Sequence, residues 1–142
     1  MTPKEYLSQY GWIERNIRRL EEEKERWQQR ALHITPSWSD APGGGSGEDK
    51  IQTAVEKACT VESKIVAEID RLVDLRQEIM TVIAAVPNPA QRELLERRYI
   101  QLQSLERIAV EMNYSYRQIL RLHGWALQQI SVPMEKMAHH VT

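Results

Sequence analysis

"SLERIAVEMNYSYRQILRLHGWALQQI", residues 104–130, is the stretch on which the reading of this chain turns. Ser104 caps a helix from Leu105 to Met112, and Leu105, Ile108, Ala109 and Met112 recur at the spacing of one helical face. Ala109 is small, as a close helix crossing requires. Asn113-Tyr114 makes the turn, because Asn tolerates the left-handed conformation that such turns usually give to Gly. Ser115 caps a second helix that runs to about Ile130, ahead of Pro133. Its inner face is Ile119, Leu122, Ala126 and Ile130. Tyr116, Arg117, Gln118, Leu120 and Arg121 are left outside. The pattern is that of a helix-turn-helix, whose second helix reads base edges with such a set: Arg grips guanine and Gln adenine through paired hydrogen bonds.

Upstream, Pro87-Asn88-Pro89 is a sharp boundary. Asn88 caps a helix with Pro89 at its first position and Gln91 completing a capping box, and Leu94, Leu95, Tyr99 and Ile100 give it an apolar face. Gln101-Leu102-Gln103 breaks it before Ser104.

The N-terminal part reads as two long amphipathic helices. Thr2-Pro3-Lys4-Glu5 is a capped start, and Tyr6, Tyr10, Ile13, Ile17, Leu20, Trp27, Ala31 and Ile34 follow alternating steps of three and four, broken at Lys24. This helix ends near His33. A second runs from about Asp49 to Val86 with Ile51, Val55, Ala58, Ile65, Ile69, Leu72, Ile79, Ile83 and Val86 in its seam, broken at Glu62 and Arg76. Two narrow seams joined by a loop pair most simply as an antiparallel hairpin. Val66, Val73, Leu75 and Val82 flank the second seam without cover, which predicts a homodimer through these helices. The loop, TPSWSDAPGGGSGED at 35–49, reads either as a plain connection or as a partner-binding loop with Trp38 as its aromatic anchor. The tail from Pro133 to Thr142 reads as frayed.

Composition sets the class. The chain has 142 residues, 42% hydrophobic and 27% charged, with a net charge of -1. Residues 1–86 hold 12 Lys and Arg against 15 Asp and Glu, whereas residues 87–142 hold 7 against 5. The basic balance therefore lies in the C-terminal part. Cys59 is the single cysteine, which excludes an intramolecular disulfide and fits a reducing cytosol. No signal pattern opens the chain and no apolar run reaches membrane-spanning length, so a cytoplasmic location and no membrane partner are expected.

Other chemistry finds little support. The four histidines lack metal-ligand spacing, so no metal and no cofactor are expected. Gly43-Gly44-Gly45 is not followed by the Lys-Ser/Thr of a phosphate-binding loop. Cys59 has no His near it in sequence, and no catalytic residues are assigned; an enzyme is the class least expected.

The 104–130 stretch resembles region four of bacterial primary sigma factors, with its Thr-Leu-Glu-Glu-Ile-Ala, turn, and Ser-Arg-x-x-Val-x-x-Ile pattern. "AQRELLERRYI", residues 90–100, looks like the leading helix of the same module. Together with the "ITPSWSDAPGGGSGEDK" loop after a long helix, the chain resembles small phage and prophage proteins grouped with ArpU-type regulators of late transcription. The resemblance implies DNA contact by Ser115, Tyr116, Arg117, Gln118 and Arg121, with Arg107 and Arg98 near phosphates. It also implies contact with bacterial RNA polymerase, in the cytoplasm of a bacterial host cell. Tyr116 departs from the pattern, standing where sigma factors usually carry Arg. Leu120, Gly124 and Trp125 replace polar or basic residues, and Trp125 is either extra core or a partner contact.

The expected fold is all-α: a long antiparallel helical hairpin over 1–86, then a sigma-region-four-like helix-turn-helix domain over 87–142. The expected function is a phage-type transcription regulator that binds double-stranded DNA. The alternative is a helical protein–protein interaction factor, of a packaging or host-inhibitory kind, that needs no DNA.

Overall fold

The structure, a computed structural model, describes residues 1–33 and 47–135. Trp38 with most of its loop, and His139 and His140 in the tail, lie outside the described residues. Among the described residues the chain is all-α and has no strand. The helices are α1 (Pro3–His33), α2 (Gly47–Ala84), α3 (Pro89–Tyr99), α4 (Leu105–Met112) and α5 (Tyr116–Gln128). Close contacts divide the chain into two units, Glu14–Arg71 and a second made of Met1–Ile13 with Leu72–Thr142. The division does not fall at residue 86: the first turns of α1 and the last of α2 belong to the same unit as α3–α5.

In the unit Glu14–Arg71, α1 buries Ile17 and Leu20, and α2 buries Ala54, Ala58, Val61 and Ile65. Asn16 Nδ2 donates to Glu68 Oε2 at 3.3 Å, and Lys24 Nζ to Glu62 Oε2 at 2.5 Å. Numbers rise along α1 as they fall along α2, so the two segments are antiparallel. Lys24, which breaks the first seam, pairs with Glu62, which lies beside buried Val61 of the second. A partly exposed pair of this kind contributes at most about 1 kcal/mol. Its larger effect is on register, since a slipped pairing would set each charge against aliphatic neighbours.

The second seam differs from the expected one. Val55 and Ile69 are exposed, whereas Ala54, Val61 and, in the other unit, Leu75 are buried. The uninterrupted run is Ile51, Ala54, Ala58, Val61, Ile65, Glu68, Leu72, Leu75, Ile79, in steps of three and four throughout. Of the four flanking residues expected to lack cover, Val66 and Val73 do, Val82 is half-buried and Leu75 is core.

In the unit of Met1–Ile13 and Leu72–Thr142, α1 starts on the expected capping box: Glu5 N–H donates to Thr2 Oγ1 at 3.1 Å and Thr2 N–H to Glu5 Oε2 at 3.3 Å. Tyr6, Leu7, Tyr10 and Ile13 are buried, as are Ile79 and Ile83 of α2 and Val86 just after it. Leu7 lies off the narrow seam yet is fully buried. Tyr6 Oη donates to Glu78 Oε2 at 2.8 Å; burial first, and the carboxylate second, hold that hydroxyl protonated well above the usual tyrosine range.

Asn88 caps α3 as expected, its Oδ1 accepting from Ala90 N–H at 2.9 Å and Gln91 N–H at 3.2 Å. The expected reciprocal bond from Gln91 is absent, and Gln91 Oε1 is buried with no partner among the described residues. Arg92 Nη1 instead ties down the α2–α3 connection by donating to the carbonyls of Val86 at 2.6 Å and Pro87 at 3.0 Å.

Candidate nucleic-acid interface

The α4–turn–α5 segment follows from its capping residues. Ser104 Oγ accepts from Arg107 N–H at 3.2 Å, and α4 then runs over the eight residues expected of it. It ends because Asn113 adopts a left-handed conformation (φ 60°, ψ 38°), so that Tyr114 N–H reaches back to the Ala109 carbonyl at 2.9 Å. Two residues on, Ser115 and Gln118 close a full capping box: Gln118 N–H donates to Ser115 Oγ at 3.1 Å and Ser115 N–H to Gln118 Oε1 at 2.8 Å. α5 ends at Gln128, slightly short of the expected Ile130. Leu94 of α3, Ile108 and Ala109 of α4, and Ile119 of α5 form one buried cluster, with Leu105, Met112 and Leu122 at its edge. That cluster fixes which face of α5 turns outward.

The outward face carries Tyr116, Arg117, Leu120 and Arg121, all exposed. Arg117 and Arg121 are one turn apart, and neither guanidinium has an acidic partner among the described residues. Ser115 and Gln118 are exposed too, but Ser115 Oγ and Gln118 Oε1 serve the cap, which leaves the Gln118 amide NH₂ as its outward donor. Arg107 sits on α4 and donates through Nε to Glu111 Oε1 at 2.9 Å. Arg97 reaches the other oxygen of the same carboxylate and also pairs with Glu93. The Arg107 hydrogen bond, with both arginine charges, holds the Glu111 carboxyl below its ordinary range. Arg98 stands apart from the rest. It is half-buried, and its Nη1 donates to the Gln103 carbonyl at 2.9 Å, bracing the α3–α4 connection in which Leu102 has a φ of 57°.

Trp125 lies one turn beyond Arg121 and is 55% exposed, so it is not extra core. Gly124 sits beside it in mid-helix, and a Cβ built there meets nothing within 4 Å. Gly124 has no expectation from sequence beyond its departure from the sigma-factor pattern. Sequence reading also passed over the link between α3 and α5. Tyr99 Oη lies 2.7 Å from His123 Nε2, and the two rings stack. Burial, with the positive charges of Arg98 and Lys4 adding to it, lowers the His123 pKa to about 4, so the imidazole is neutral at pH 7.

Among the described residues no three His, Cys, Asp or Glu side chains gather as a metal site would require, and no helix is long and apolar enough to cross a membrane. No family model, curated protein sequence or solved structure matches the chain.

Proposed function

We propose that this protein is a phage-type transcription regulator that binds double-stranded DNA through α5. The observation that carries the reading is the pair Arg117 and Arg121, exposed one turn apart on the outward face of a helix whose first turn is double-capped and whose back is pinned by Ile119. Two guanidiniums with no acidic partner among the described residues, at fixed spacing, suit bidentate contacts to guanine edges. Arg107 lies on the neighbouring helix as a phosphate contact, and the sequence resemblance to sigma region four supports the same assignment. A contact with bacterial RNA polymerase belongs to this proposal.

The low positive charge of the C-terminal part limits what one copy can hold, because phosphate neutralisation supplies most non-specific affinity. A homodimer through the exposed aliphatics Val55, Val66 and Ile69 of α2 would offer two α5 helices to one duplex and raise the effective concentration of the second. The test is an equilibrium titration of the full-length protein with duplexes selected from a random pool. Enrichment of a shared sequence supports the reading.

One observation favours a second reading, a protein–protein interaction factor. Tyr116, Leu120 and Trp125 are large apolar side chains exposed on α5. If no duplex is enriched, that reading replaces the first.

A further inference from the structure

Four residues apart on α5, Tyr116, Leu120 and Gly124 form one row along the outward face, with Arg117 and Arg121 beside it. Tyr116 is 46% exposed and Leu120 44% exposed. No described residue covers them, and none packs against the glycine. Glycine is a poor residue for the middle of a helix, the backbone at 124 is ordinary helix, and an added methyl would meet open space.

An external body that must come close to the helix explains all three positions. Resting on the DNA-binding reading above, we infer that this row enters the major groove and that Leu120, with Tyr116 beside it, reads the C5-methyl group of thymine. That methyl is the one apolar group on the major-groove edge of the four bases, so it is what an exposed leucine between two arginines can recognise there. Gly124 keeps the far end of the row low, so that the helix can seat deeply enough for the shorter Leu120 side chain to reach. The target is a duplex with thymine next to the base pairs held by Arg117 and Arg121.

The experiment starts from duplexes selected by the full-length protein and replaces each thymine in turn with deoxyuridine, which removes only the methyl group. For the wild-type protein, one or two replacements weaken binding roughly fourfold each, the factor that burying a single methyl group is worth. For Leu120→Ala, whose melting temperature stays near wild type because the side chain is exposed, the same replacements have no further effect. Gly124→Ala raises the melting temperature and still weakens binding. If no thymine methyl matters, or if Leu120→Ala keeps the full methyl dependence, the inference fails while DNA binding stands. If no duplex is enriched at all, both fail. Where Leu120→Ala binds too weakly to titrate, base replacement with the wild-type protein decides alone.

Discussion

Tyr99 Oη and His123 Nε2 are 2.7 Å apart, and their stacked rings lie 5.8 Å centroid to centroid, so α5 is held to α3 by a polar contact as well as by the Leu94–Ile119 cluster. Burial and the nearby positive charges require the imidazole to be neutral at pH 7. Protonated, the ring would be a cation half-buried near Arg98 and Lys4.

That requirement gives the fold a pH dependence. The folded-state pKa of about 4 lies below the ordinary value of 6.5, so the unfolded chain binds the proton first as pH falls. The stabilisation is complete above pH 6.5 and is lost as pH drops toward 4. Allowing for the ring's partial exposure, the loss is of the order of 2 kcal/mol. Urea unfolding of wild type and His123→Phe at pH 7 and pH 4 checks this: the variant should show a clearly smaller drop. The Tyr99 hydroxyl works at the other end, since burial raises its pKa to about 12 and its contribution is lost above pH 10.

Asn113 is expected to accept glycine and to reject branched side chains. With φ at 60°, Asn113→Gly should change stability by less than about 0.5 kcal/mol, whereas Asn113→Val should cost about 1–3 kcal/mol. Thermal unfolding of the two variants separates left-handed geometry from any role of the amide itself.

The Ser115–Gln118 box is a structural feature first. Ser115→Ala should cost about 1 kcal/mol of stability by removing the acceptor for Gln118 N–H. Gln118→Glu keeps an acceptor for Ser115 N–H and should cost less than Gln118→Ala. Chemical denaturation of the three variants is the check.

The proposed homodimer is tested by sedimentation of the full-length protein. Wild type should sediment as a dimer, and Ile69→Lys, which places a charge among the exposed aliphatics of α2, should shift it toward monomer with little change in helicity. A monomeric wild type would remove α2 from that role.

Local chemistry was the most legible part of the sequence. Thr2, Asn88, Ser104 and Ser115 each announce a helix start, and each caps one in the structure, because a cap depends only on residues within one turn. Asn113 was legible for the same reason. What depended on distant partners was less so. Choosing the largest aliphatics put Val55 and Ile69 into the second seam, when the true run passes through small Ala54 and polar Glu68. Leu7 lies off the helical period of its seam and is fully buried all the same. At the candidate site, Arg117 and Arg121 were placed outward by the burial of Ile119, which periodicity gives. Arg98 was not, since its commitment to the Gln103 carbonyl depends on the path of the α3–α4 connection and the left-handed Leu102 within it. The Tyr99–His123 contact joins residues 24 apart in sequence and had no local signal.

The α5 reading makes opposite demands on two kinds of substitution. Arg117→Ala and Arg121→Ala should leave the fold intact and weaken specific DNA binding by about 1–3 kcal/mol each. Ile119→Asp should unfold the unit, because it would bury an unpaired charge at a position with no exposure. Circular dichroism and melting curves establish which variants remain folded.

The most direct measurement is an equilibrium titration of a selected duplex with full-length wild type and with the Arg117→Ala/Arg121→Ala double variant, repeated across a range of salt concentrations. The account predicts tight, salt-sensitive binding by wild type. It predicts a folded double variant that binds roughly thirtyfold more weakly or worse, with a much reduced preference for the selected sequence over a scrambled one. A folded double variant that binds the selected duplex as wild type does, with the same preference, would contradict it.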